Sequence, residues 1–406
     1  MSINKRLVTN TGLNLAGYAY LFVASFIAIP SILHSLGTAR MGEYLLLVGL
    51  PILLSVFDLG LVSATIFYLS RNLSDKQSWS TSLAALLTGS LVLAVISFFV
   101  VSHIFGLPGL ALPVMALTFV TILSEVFLLP AQVTQNYLFY NTRTVIVGTS
   151  ATLLAALILS LSPVIVSALW LQVAAHLLTI VLSVYYYRSW YQTLPRPSKT
   201  SLTKLLKYGL TSWVTQVTGQ IQSYAGKFFV SRLISASAVT PLGIAQSLVA
   251  KLSGAIITSV KALFPAASAL SASHETPRIK KIFLLAESFI LVVALGGIVI
   301  NRYLGLPLLV WWLGDHSVAL ATYQIFSILL IYFVSSGLTV VPSMLINGLG
   351  FPALPSFFAV TTVVVELLFL IYLTPKYGPL GPAYAATIAS LVNTPPFLYL
   401  VWRRLK

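Results

Sequence analysis

The chain is a succession of apolar blocks of about 20 residues, the length at which an α-helix crosses the hydrocarbon core of a bilayer. Lipid offers no partner to a bare backbone N–H or C=O, and a helix satisfies both within the segment. The blocks fall at roughly 13–33, 44–68, 82–102, 110–130, 144–162, 164–187, 208–232, 240–264, 282–300, 318–346, 353–374 and 380–402 of the 406 residues. With 58% hydrophobic and 8% charged residues and a mean hydropathy of +0.96, the expectation is an all-α polytopic membrane protein. It should have about 12 transmembrane helices in two six-helix lobes around a central cleft. The first block is too long for a signal-peptide core and lacks a convincing small-residue cleavage site, so it is expected to remain as the first span.

A net charge of +15 would suggest nucleic acid in a soluble protein, but here it is read against the spans. With a cytoplasmic N-terminus, three of the 23 Lys and Arg residues lie within spans, and only Arg40, Arg232, Arg302 and Lys376 fall in connections on the outer side. The rest lie on the cytoplasmic side, as positive-inside insertion requires. Both termini are therefore expected in the cytoplasm, and no nucleic-acid partner is expected. Cysteine is absent, which excludes disulfides, thiolate chemistry and Cys-ligated metal. His34, His103, His176, His274 and His316 are scattered singly. Only His176 lies within a span, where a packed or hydrogen-bonded role is expected. There is no phosphate-binding Gly-rich loop ending in Lys-Ser/Thr, so no catalytic residue, metal or cofactor is predicted.

The longest basic connection, Arg188 to Lys207, contains Pro195 and Pro197 and falls near the midpoint. It divides the chain into a six-helix lobe at 1–187, a basic cytoplasmic linker at 188–207 and a second six-helix lobe at 208–406. Thr11-Gly12-Leu13 and Tyr208-Gly209-Leu210 open the halves alike. Two such halves are the usual construction for alternating access about a midplane site.

Lys227, Lys251 and Lys261 lie inside the seventh and eighth blocks. A lysine at bilayer depth costs roughly 3 kcal/mol or more and is rare unless it faces a bundle interior or wet cavity. At about 1.5 Å per residue the three form a ladder in depth, with Lys251 near the midplane, and they point to an anionic substrate. Two alternatives stand beside this: Lys261 snorkels to the headgroups, and Lys251 pairs with Glu366. Asp58, Glu125 and Glu366 are candidates for proton or cation coupling or, equally, pins between helices. Glu287 opens the ninth block, where it suits a helix N-terminus. Asn10, Asn14, Tyr18 and Tyr20 on the first span and Trp213, Gln216, Gln220, Gln222 and Tyr224 on the seventh supply hydrogen-bonding and stacking groups suited to a sugar, or to helix contacts and interfaces. Pro30, Pro51 and Pro265 are expected to bend or end their helices.

Several short patterns recur in order along the chain: Asn14, then Pro30, Leu36-Gly37, Gly42-Glu43-Tyr44 and Phe57-Asp58-Leu59-Gly60-Leu61; Lys227-Phe-Phe-Val-Ser-Arg232, Gly243-Ile244-Ala245 and Leu263-Phe264-Pro265; Asn347-Gly-Leu-Gly350 and Lys376-Tyr-Gly-Pro-Leu-Gly381-Pro-Ala-Tyr-Ala-Ala-Thr387. Together they resemble the polysaccharide flippases of the multidrug/oligosaccharidyl-lipid/polysaccharide exporter superfamily, the O-antigen (Wzx-type) transporters. The resemblance implies two six-helix lobes in a bacterial inner membrane. It also implies translocation of an undecaprenyl-diphosphate-linked oligosaccharide from the cytoplasmic to the periplasmic leaflet. A polysaccharide polymerase machinery is the implied partner, membrane lipids surround the chain, and a functional monomer is expected because two lobes complete a cleft. Such transporters often carry an acidic residue before the lysine of the seventh span, where this chain has Gly226. The competing readings are a multidrug cation exporter of the same superfamily, which lysines in the cleft would repel, and a membrane polysaccharide polymerase or ligase. The enzyme would need a sizeable outer loop, and the longest expected here is Asn301 to Ser317, with Trp311 and Trp312.

Overall fold

The computed structural model of the chain describes residues 3–73, 75–192, 196–260, 276–348, 351 and 353–404. Among them there is no strand. The helices are α1 (Ile3–Ser55), α2 (Leu61–Arg71), α3 (Lys76–Phe99), α4 (Pro108–Val133), α5 (Tyr137–Thr149), α6 (Ala155–Leu161), α7 (Ile165–Tyr186), α8 (Lys199–Leu233), α9 (Ala236–Val260), α10 (Thr276–Ile300), α11 (Leu306–Leu313), α12 (His316–Gly348), α13 (Ala353–Tyr377) and α14 (Gly381–Arg404). Single π turns, Ser150–Leu154 and Asn301–Gly305, carry α5 into α6 and α10 into α11 without leaving the helical path.

Nine stretches of the described residues are long and apolar enough to cross a membrane. Gly12–Asp58 is divided at Gly37, which leaves the helix at φ 69°, ψ 172°, and Ala353–Arg404 contains both α13 and α14. The nine therefore account for eleven of the expected crossings, and α8, too polar to qualify, stands at the remaining one. Pro30 and Pro51 lie within α1 without ending it, and the break falls at Gly37 between them. Pro265 lies outside the described residues.

Lipid as solvent is visible in the side-chain pattern. On α3, Ser78, Ser80, Thr81, Ser82, Ser90 and Ser97 are buried while Leu91, Val92, Val95, Ile96 and Phe99 are exposed. A soluble protein would do the reverse. Helices in lipid gain little from hiding apolar surface and associate through close packing and polar contacts. The buried face of α14 is built accordingly from small residues, Gly381, Ala383, Ala385, Ala386 and Ala389.

Two compact units are present, Met1–Arg40 with Tyr44–Gln220 and Met41–Glu43 with Ile221–Lys406, so the division falls within α8. In the first, Leu61, Leu69, Trp79, Leu83, Leu129 and Leu205 form a core cluster. The basic connection packs on it: Trp79 Nε1 donates to the Trp190 carbonyl at 2.8 Å, Tyr191 Oη to the Phe127 carbonyl at 2.9 Å, and the Ser198 amide to Thr81 Oγ1 at 3.1 Å. Asp75 caps α3, accepting from the Ser78 amide at 3.0 Å and the Ser78 hydroxyl at 2.7 Å, with Lys204 Nζ at 3.5 Å. Partial burial opposes ionisation of Asp75, but the hydrogen bonds from Ser78 and the nearby Lys204 outweigh it and hold the carboxyl below the usual carboxylate range.

Three element bounds differ from the sequence expectation. The helix expected from about 144 starts earlier and includes Arg143, because Asn136 caps α5 by accepting from the Phe139 amide at 3.2 Å. The expected outer loop from Asn301 is helical as far as Leu313, and Gly314 at φ 71° makes the turn. Glu287 does not open its helix: α10 begins at Thr276, with Pro277 in its first turn, where proline's fixed φ is favourable.

Candidate substrate and coupling residues

In the first unit the polar side chains of α1 and α8 are held by neighbouring helices. Asn14 Oδ1 accepts from Asn141 Nδ2 at 2.8 Å, and Tyr20 Oη lies 2.9 Å from Thr149 Oγ1, so α1 and α5 are joined by two polar contacts on one face. Trp213 Nε1 donates to the Val56 carbonyl at 2.7 Å, and Gln216 Nε2 to Ser63 Oγ at 2.9 Å. Asp58 accepts from the amides of Gly60 (2.8 Å) and Val62 (3.1 Å), which caps the start of α2. Gly60, at φ +73°, abuts Gly209 so closely that a Cβ on either would collide with the other's backbone. Two of the sequence patterns, 57–61 and 208–210, thus meet at one tight crossing. Tyr18 and Gln220 are both half-buried, on α1 and α8.

Glu125 of α4 forms an ion pair with Arg143 of α5, Oε1 to Nη2 2.6 Å. The same Nη2 donates to Ser124 Oγ at 2.8 Å, and that hydroxyl lies 2.8 Å from Nδ1 of His176 on α7. His176 Nε2 is 3.4 Å from Thr121 Oγ1. This row of polar groups ties α4, α5 and α7 together, and His176 is the hydrogen-bonded core histidine the sequence suggested. Arg143 joins this row because Asn136, a good N-cap residue, starts α5 ahead of the apolar block.

In the second unit Lys227 and Lys251 are half-buried on α8 and α9. Lys227 Nζ lies 4.8 Å from the ring centroid of Tyr224, three residues earlier on the same helical face, a cation–π arrangement. No described carboxylate comes within ion-pair distance of Lys227. Lys251 Nζ donates to Ser247 Oγ at 2.7 Å, one turn earlier. Glu366, only 4% exposed, accepts from Gln222 Nε2 at 2.8 Å, which joins α8 to α13. Lys261 lies outside the described residues. Gly226 has a packing reason: a Cβ there would meet Pro382 Cβ of α14 at 2.8 Å, so an acidic side chain before Lys227 would have no room. Among the described residues no three His, Asp or Glu side chains are grouped to hold a metal.

These helices have the fold of known membrane transporters. Over 98% of its length the chain matches the lipid II flippase MurJ in an inward closed conformation, with a TM-score of 0.73 and 16% identity across 87% of that chain. Over 97% of its length it matches an inward-facing multidrug resistance MATE family transporter of the MOP superfamily, with a TM-score of 0.69 and 15% identity across 95% of that chain. The class defined is a polytopic helical membrane protein with the MOP-superfamily fold. Within it, the chain belongs to the polysaccharide biosynthesis protein family, whose sequence pattern it matches over residues 7–271. It is also 24% identical, over 98% of its length and 97% of the relative, to a candidate O-antigen transporter of Shigella flexneri.

Proposed function

We propose that this chain is a flippase that carries an undecaprenyl-diphosphate-linked oligosaccharide from the cytoplasmic to the periplasmic leaflet of a bacterial inner membrane by alternating access. Both termini are assigned to the cytoplasm, and the chain works as a monomer that hands its cargo to polysaccharide polymerase machinery. The observation that carries the reading is Lys227, a cation on a membrane helix held against an aromatic face with no described carboxylate to neutralise it. Hydrocarbon penalises a diphosphate by several kcal/mol or more, and ammonium groups at membrane depth offset that penalty. Lys251 is the second such group, and Lys261 is assigned the same role at the cytoplasmic edge. Asn14, Tyr18, Trp213 and Gln220 are assigned to the sugar. Family membership and similarity to a candidate O-antigen transporter support this cargo over a cationic drug. A polymerase or ligase is disfavoured because the stretch from Asn301 is helix rather than a loop that could bear chemistry.

The test is the leaflet location of the lipid-linked oligosaccharide in cells lacking the chain, read with an impermeant sugar-modifying reagent on spheroplasts. A unit that accumulates shielded from the reagent, and becomes accessible when the gene is restored, is the expected result. Normal accessibility without the chain transfers the assignment to drug export. Accessible but unpolymerised units transfer it to the enzyme.

A further inference from the structure

Among the described residues, Glu287 is an acid with both carboxyl oxygens buried and neither hydrogen-bonded. It lies well inside α10 and is 9% exposed. Its neighbours along the same helical face, Phe283 and Ile290, pack into an apolar cluster with Val341, Leu345 and Ile346 of α12 and Phe397 and Val401 of α14. Ile256 of α9 and Trp402 of α14 close around that cluster. No described charged or titratable group of α9, α12 or α14 acts on Glu287.

An isolated carboxylate in such surroundings is not sustainable. Transfer of the ionised form out of water costs far more than any membrane helix can supply, and in practice such a group takes up a proton. A metal cation does not serve as the alternative occupant. Hard cations take about six or more oxygen ligands, whereas Phe283 and Ile290 on the same face of α10 pack into an apolar cluster.

We propose that Glu287 is a proton-binding site of the second unit, occupied in this conformation and emptied when the α10 face is wetted. Three other acids have partners of their own: Glu125 has Arg143, Asp58 two backbone amides and Glu366 Gln222. A proton on Glu287 is held by solvation alone. Any rearrangement that brings water to this face releases it, and any rearrangement that closes the face demands it back. Resting on the flippase reading, this makes each transport cycle take one proton through Glu287.

The experiment is infrared difference spectroscopy of the full chain in lipid, with 13C-glutamate labelling to separate glutamate from aspartate bands. The expected result is a protonated glutamate C=O band at neutral pH in wild type that survives in E366Q and is missing in E287Q. Absence of any such band in labelled wild type overturns the proposal, whether or not E287Q accumulates. So does a band that E287Q retains or that E366Q abolishes. Oligosaccharide flipping in vesicles with an imposed pH gradient tests the coupling separately: E287Q is expected to flip at a rate that no longer responds to the gradient. A wild-type gradient response in E287Q overturns the coupling. Failure of wild type to flip at all, with the infrared band present, overturns the flippase reading and leaves the proton site standing.

Discussion

Removing Glu125 should destabilise the protein more than removing Arg143, although the two form one ion pair. At 2.6 Å the pair joins α4 to α5, with the Arg143 side chain 12% exposed and that of Glu125 37% exposed. Without Glu125, Arg143 keeps one bond to Ser124, and its Nε is already buried without a partner. A guanidinium cannot shed its proton, so the charge stays stranded, and Glu125→Leu should cost about 3–5 kcal/mol, the range for breaking a buried pair. Without Arg143, Glu125 is the more exposed partner, and solvent can reach its carboxylate. Arg143→Met should then cost about 1–2 kcal/mol, mainly the lost hydrogen bond to Ser124 and a weak, partly exposed ion pair. The double variant should lie close to Arg143→Met, giving a coupling of about 3–5 kcal/mol in a double-mutant cycle. Equilibrium unfolding of the four proteins in mixed micelles reads all these quantities. Equal costs for the single changes, or single costs that add without coupling, would refute the argument from stranded charge.

Three further outcomes follow from the same kind of reasoning. Gly226→Ala places a methyl against Pro382, and overpacking of roughly 1–3 kcal/mol exceeds the gain of about 1 kcal/mol in helix propensity; thermal unfolding should show a lowered midpoint, and an unchanged or raised one contradicts the close contact. Lys251→Ala should abolish transport while the protein still accumulates, and Lys251→Arg should retain more activity; equal loss in both would mean that packing or deprotonation, not charge, is what Lys251 supplies. Asp75→Asn should remove a stabilisation that wild type has in full above the ordinary aspartate value of 3.8 and loses as pH falls through its lowered native value. The stability difference between the two proteins should therefore shrink on acidification below that point, and a difference independent of pH would contradict the ionised cap.

The spans were legible because the bilayer imposes a length on every apolar block, and that requirement survives any detail of packing. Span ends were less legible, since they depend on single residues. Asn136 sets the start of α5 several positions ahead of the apolar block and places Arg143 on that helix. The π turn at Asn301 let α10 continue where polar residues suggested an exit. Gly226 illustrates a different limit. Its departure from the related pattern was visible, but its cause, the approach of Pro382 more than a hundred residues away, is a property of packing alone. The seventh-span polar set divided in a way no periodicity could foretell: Trp213 and Gln216 are used within the first unit, while Gln222 is used by Glu366 in the second.

The placement of the acids bears on cargo more directly than the fold does, because a fold shared with both lipid and drug transporters carries no preference of charge. Exporting a cation requires a carboxylate that is ionised and turned toward the cargo. Two acids lie on α10 and α13 of the second unit, Glu287 and Glu366. The first is 9% exposed with both carboxyl oxygens buried, and the second is 4% exposed and occupied by Gln222. Neither offers a negative charge at a surface. Lys227 does the opposite, presenting a cation to the π face of Tyr224 with no described acid against it. A cation–π contact is worth about 0.5–2 kcal/mol, less than the roughly 3 kcal/mol or more that a lysine at bilayer depth costs. On the flippase reading proposed above, the remainder would be offset by an anion such as a diphosphate and increased by a cationic drug.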